Sequence, residues 1–174
     1  ACRRRLRGRR PERDAIERER DGSPLTARMA DTLLKFLFRD APVRGEIVRL
    51  DASWRAMVAH HGYPAPVTRL LGEATAAAAL LAANIKFDGT LILQVQGNGP
   101  VRLLVVEVQP GMRLRATAKL REQAGIAAGA TLQQLVNPGG DARCAITLDP
   151  AGRRPGQQPY QGVVPLQGET IAQV

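Results

Sequence analysis

The chain has 174 residues, 44% hydrophobic but only 3% aromatic, with a formal net charge of +9 at pH 7. That length and apolar content suit one domain with a core of Leu, Val, Ile and Ala, and they exclude wholesale disorder. No apolar run approaches the ~20 residues that span a bilayer, and no apolar segment follows the basic N-terminus to make a secretory signal, so the chain reads as cytoplasmic.

Residues 1–24 carry nine Arg against five acids and almost no apolar content. Such a composition cannot offset chain entropy, so they are expected to form a disordered basic arm, with residues 25–174 as the folded domain. From Thr26 to Arg39, Met29, Leu33, Phe36 and Leu37 fall on one helical face and predict a helix. Gly45 to Leu50 reads as a strand. Asp51 is placed as the N-cap of a helix through Trp54, Met57 and Val58 that ends near His61 and Gly62. Tyr63-Pro64-Ala65-Pro66 is a rigid connector, with Pro66 in the first turn of a helix from Val67 to Asn84. In that helix Val67, Leu70, Leu71, Ala74, Ala78 and Leu81 recur at three- and four-residue steps, and its Ala-rich middle lets a sheet approach closely.

After Asp88-Gly89 the period changes to two. Leu91, Leu93 and Val95 alternate with Ile92, Gln94 and Gln96, and Gly97-Asn98-Gly99-Pro100 turns the chain into a second strand, Val101 to Val108. Past Pro110-Gly111, Met112, Leu114, Ala116 and Ala118 face one side and Arg113, Arg115, Thr117 and Lys119 the other. A short helical turn at Leu132 to Val136, a strand from Arg143 to Leu148 and a last strand from Tyr160 to Leu166 follow. Gly168-Glu169-Thr170 then opens a helix that Val174 cuts off, so the chain reads as incomplete at its C-terminus.

The candidate sites do not assemble chemistry. Gly97 and Gly99 precede a strand, whereas phosphate cradles need a helix N-terminus after the glycine loop. His60 and His61 diverge by roughly 100° on a helix and suit its C-terminal dipole better than a shared metal. Ser23 and Ser53 lack a nucleophile-elbow context, and Glu46 and Asp51 have no second acidic cluster. Cys2 and Cys144 are two isolated thiols, too few for a four-ligand zinc site, and Cys144 in an apolar strand is expected to be an inert core residue. No catalytic, cofactor-binding or metal residue is assigned, and the chain is not read as an enzyme.

Six strings in order carry a resemblance: Phe36-Leu37-Phe38, Pro42-Val43-Arg44-Gly45-Glu46, Tyr63-Pro64-Ala65-Pro66-Val67, Lys86-Phe87-Asp88-Gly89, Gln96-Gly97-Asn98-Gly99-Pro100 and Tyr160-Gln161-Gly162-Val163-Val164. Over about residues 28–174 they resemble the N-terminal domain of the redox-regulated bacterial holdase family, that of the thirty-three-kilodalton heat-shock chaperone. The resemblance implies an α+β fold of layered mixed β-sheets with helices on one side, truncated before a C-terminal zinc module. It implies an ATP-independent holdase that binds unfolding client proteins under oxidative or heat stress. In the family a Cys-x-Cys and a Cys-x-x-Cys pair hold zinc, and oxidation expels the metal and favours dimers. None of those cysteines matches a position here, so zinc is implied for the full-length protein and no cofactor for this chain. The client-binding residues stay unassigned.

The alternative is a nucleic-acid-binding protein that uses the basic arm and the Arg113/Arg115/Lys119 strand face. Arg outnumbers Lys 22 to 3, which a GC-rich genome explains, and no Arg cluster adjoins an aromatic stacking platform, so nucleic acid is disfavoured.

Overall fold

The computed structural model describes residues 30–122, 125–154 and 156–174. The expected basic arm lies outside them. Ten elements follow one another: β1 (Thr32–Leu37), β2 (Arg44–Arg49), α1 (Ala52–Val58), α2 (Ala65–Asn84), β3 (Gly89–Gln96), β4 (Val101–Gln109), β5 (Arg113–Leu120), α3 (Leu132–Val136), β6 (Arg143–Pro150) and β7 (Tyr160–Pro165). A 3-10 turn at Ile171–Gln173 comes last. β1 and β2 form a ribbon of their own, and the other strands make a five-stranded sheet in the order β5-β4-β3-β6-β7. The α+β class is as expected, but every described strand pair is antiparallel, which corrects the expectation of mixed sheets.

Alternation decides which sheet face is buried. Leu91, Leu93 and Val95 of β3 pair with Val108, Val106 and Leu104 of β4, and the same row continues through Ala116 and Ala118 of β5 and Cys144 of β6. All of these are buried. α2 lies across β3, β4 and β5 and closes the core with Val67, Leu70, Leu71, Ala74 and Ala78. The alanines let the helix backbone approach the sheet, as their spacing predicts. Leu81, counted with them from its spacing, is exposed, and Ala82 packs on the core instead.

Tyr63, in the connector before α2, covers the free edge of β5. Its hydroxyl accepts from the Ala118 N–H at 3.0 Å and donates to the Ala118 carbonyl at 3.1 Å. Both backbone groups of an edge residue are thereby satisfied, which removes a template for further strand pairing.

Further expectations need correction. The segment predicted as a helix over Thr26 to Arg39 is strand β1 over its described part. Its spacing fits a helix, but β2 lies one turn away, and cross-strand pairing of Leu34 with Ile47 and Phe36 with Gly45 overrides the local pattern. Met112 is not on the core face: it has a φ of 58° in the turn before β5 and is exposed. The helix after Asp51 ends at Val58, short of His61.

Asp51 stands at the N-cap of α1 without capping it. Its carboxylate is turned to Arg55, with Arg55 Nε donating to Oδ1 at 3.0 Å. Asp31 caps the helix from outside instead: the Asp51 N–H donates to Oδ1 at 2.5 Å and the Ser53 N–H to Oδ2 at 2.9 Å. The Ser53 side chain, then the backbone N–H of Asp51, hold the Asp31 carboxyl below its ordinary value. Asp31→Ala is expected to cost about 1 kcal/mol, read from the urea midpoint. Because the folded-state pKa is depressed, that contribution is present above the ordinary carboxylate pKa. It is lost as pH falls through the folded value. A midpoint that does not move at neutral pH would contradict the capping role.

Candidate functional site

The residues singled out for chemistry are placed in structural roles. Gly97 and Gly99 bring the β3–β4 turn onto the C-terminus of α3, where the Asn98 and Gly99 N–H groups donate to the Val136 carbonyl at 3.0 and 3.2 Å. Asn98 Oδ1 accepts from the Gly139 N–H at 3.2 Å, and Arg121 Nε donates to the Gly99 carbonyl at 3.0 Å. This tetrapeptide is a hairpin turn that also docks a helix. α3 is started by a capping box, Thr131 with Gln134, a Thr-x-x-Gln signal legible in the sequence.

His60 and His61 lie beyond α1, where the His61 ring stacks on Tyr63 with centroids 4.9 Å apart. Ser53 is engaged with Asp31. Glu46 and Asp51 sit in separate ion pairs: Glu46 with Lys35 at 2.9 Å, Asp51 with Arg55. Among the described residues no group of three or more His, Cys, Asp or Glu lies close enough to hold a metal ion. Arg113, Arg115 and Lys119 do share one face of edge strand β5, with Arg115 opposite Glu107. Ser23 and Cys2 lie outside the described residues.

Cys144 is buried beneath the sheet, and burial pushes its thiol above the ordinary value. It is therefore expected to stay protonated and to react with iodoacetamide roughly tenfold or more slowly in the native protein than in denaturant. Peptide mass spectrometry of the Cys144 peptide checks this. Equal rates in the two conditions would contradict it.

What the structure brings together is apolar surface. On the outer face of the β1–β2 ribbon, Leu34, Phe36, Phe38, Val43 and Ile47 are all exposed, Leu34 at 61% and Ile47 at 57%. Phe36 and Phe38 meet edge to face at 5.7 Å between centroids. The ribbon's other face is fixed to the end of α2: Lys35 Nζ donates to the Ala83 carbonyl, and Asn84 Nδ2 donates to Glu46 Oε2 at 3.0 Å. A second exposed set lies on β7, with Tyr160, Val163 and Val164. Patches of this kind mark interaction surfaces. The sequence conceals them, because a strand residue facing water is the same amino acid as one facing a core.

The comparisons agree with this architecture. The family described as "Hsp33 protein" matches residues 31–174. The 33 kDa chaperonin of Methylobacillus flagellatus is 46% identical over 147 residues, a span of 84% of this chain and 47% of the relative. The 33 kDa chaperonin of Neisseria meningitidis serogroup A is 46% identical over 145 residues, 83% of this chain and 46% of the relative. The crystal structure of the 33 kDa chaperonin of Thermotoga maritima superposes with a TM-score of 0.63 over 80% of this chain and 47% of that one, at 22% identity, and so supports the fold. The chain thus spans about half the length of the relatives it matches. It belongs to the Hsp33 family, and its described domain corresponds to the N-terminal half of that family's polypeptide.

Proposed function

We propose that this chain is the client-holding part of a cytoplasmic, ATP-independent holdase that binds unfolding proteins and keeps them from aggregating under oxidative or heat stress. The observation that carries the reading is the exposed apolar surface on an Hsp33-family fold: Leu34, Phe36, Phe38, Val43 and Ile47 on the ribbon, with Tyr160 and Val164 on β7. Passive holding needs apolar area and adaptable contact, and Ser53, Glu46 and Asp51 are engaged in structural pairs or caps. The basic arm of residues 1–24 is assigned a place outside the holding domain of residues 25–174.

Zinc and the disulfide switch belong, on this reading, to the other half of the full-length protein. Cys144 is buried in the core and is unsuited to sense oxidant. Self-association through the same apolar surface is the route to any dimer.

The test is binding of a thermally unfolding client to the purified chain, followed by co-elution across a salt series. Complex that persists as salt rises supports apolar holding. Complex that dissolves steeply with salt would instead favour electrostatic binding, and with it the nucleic-acid alternative on the Arg113/Arg115/Lys119 face. No complex with folded protein would overturn the reading.

A further inference from the structure

Of the three asparagines in the chain, Asn84 precedes Ile85, Asn137 precedes Pro138 and Asn98 precedes Gly99. The difference is chemical. The backbone nitrogen of the following residue can attack an asparagine side chain at Cγ and close a five-membered succinimide. Isoleucine hinders that approach with its branched Cβ, and proline has no N–H to give up. Glycine, without a side chain, leaves the approach open. By sequence, then, Asn98–Gly99 is the reactive pair.

The fold holds both partners of that reaction apart. The Gly99 N–H donates to the Val136 carbonyl at 3.2 Å, which commits the attacking nitrogen to α3. Asn98 Oδ1 accepts from the Gly139 N–H at 3.2 Å, and Gly139 lies so close that a Cβ there would collide with Asn98 Nδ2. A Cβ on Gly99 would lie 2.5 Å from the Leu135 carbonyl oxygen, so the turn has no spare volume. Leu135 and Val136 are themselves core residues, and α3 also grips the segment after β7: Gln133 Nε2 donates to the Leu166 and Gly168 carbonyls at 3.2 and 2.6 Å.

We propose that Asn98 is a deamidation site, latched shut by the docking of α3 and opened when that contact is lost. Once it opens, the Gly99 nitrogen gives up its proton and bonds to Asn98 Cγ. The Cγ–Nδ2 bond breaks, and Nδ2 leaves as ammonia with that proton. Water then adds to one of the two succinimide carbonyls. Breaking the bond to Cγ restores the main chain and leaves aspartate. Breaking the bond to the Asn98 main-chain carbonyl leaves isoaspartate, whose backbone runs through the side-chain methylene. Water is the only other reagent. The isoaspartyl backbone is one carbon longer, and the turn it must re-enter has no room for a single added carbon at Gly97 or Gly99. The step is therefore one-way: a chain that opens long enough to react no longer re-forms the contact between the hairpin and α3. This inference rests on the geometry of the turn, not on the holdase reading.

The test holds the 174-residue chain in warm, mildly alkaline buffer, native and in guanidinium chloride. Peptide mass spectrometry follows the replacement of NH2 by OH at each asparagine, and chromatography separates the aspartyl and isoaspartyl peptides. Asn98 is expected to react about tenfold or more slowly in the native chain than in denaturant. In denaturant Asn84 and Asn137 should lag far behind it. Thr131→Ala, which removes the capping box of α3, is expected to react several-fold faster than the parent when native and at the parent's rate in denaturant. The isoaspartyl chain, returned to native buffer, should melt several degrees below the parent. Equal native and denatured rates, no reaction at Asn98 in denaturant, or a native Thr131→Ala rate equal to the parent's would overturn the latch. The first two comparisons use the parent chain alone and do not depend on the variant folding. An isoaspartyl chain that melts with the parent would overturn the one-way step.

Discussion

Leu71→Ala is expected to destabilise the domain by about 2–5 kcal/mol, whereas Leu37→Ala should stay within about 0.5 kcal/mol of the parent. Leu71 is fully buried in the second turn of α2, in the core cluster, and truncating it leaves a cavity in a close-packed core. Leu37 is 80% exposed at the end of β1 and has little burial to lose. The contrast matters because the helical spacing of Leu33, Phe36 and Leu37 places Leu37 on a buried face. Urea denaturation of the two variants separates the arrangements: equal losses would mean that β1 is wrongly described.

Gly97→Ala is the second large effect, at about 1–3 kcal/mol. A Cβ at this position would lie 2.1 Å from the Val136 carbonyl oxygen and 2.5 Å from its Cγ1. The first of these is a backbone atom that accepts from Asn98 and Gly99, so relief of the clash must push α3 off the hairpin. Gly62→Ala is the control, since its added carbon meets nothing within 4 Å. Thermal unfolding should show Gly97→Ala several degrees below Gly62→Ala. If the two melt together, the close approach of the turn to α3 is not what requires glycine.

The individual strands β3 and β5 were legible because their period is unmixed, though not their order in one five-stranded sheet. The Leu91/Leu93/Val95 row and the Ala116/Ala118 row each have a buried face and a polar one, and the turns between them carry Gly, Pro and Asn. α2 was legible for the same reason at a period of 3.6. β1 was not, since Thr32 to Leu37 has apolar residues on both faces and takes its state from β2. The external cap on α1 was out of reach too, as Asp31 and Ser53 are 22 residues apart and nothing local joins them. The apolar ribbon face could not be read either, because exposure is a property of the fold. Cys144 illustrates the intermediate case: its strand context predicted burial, and burial is what the structure shows.

The most direct measurement of the central claim is light scattering of a thermally aggregating client, with and without the purified chain. ATP and dithiothreitol are each varied. Apolar surface open on this half of the Hsp33 fold, with Cys144 buried in the core, predicts suppressed aggregation that needs no ATP and is the same with and without reductant. Protection that appears only under one redox condition, or none at all from protein shown to be folded, would contradict it.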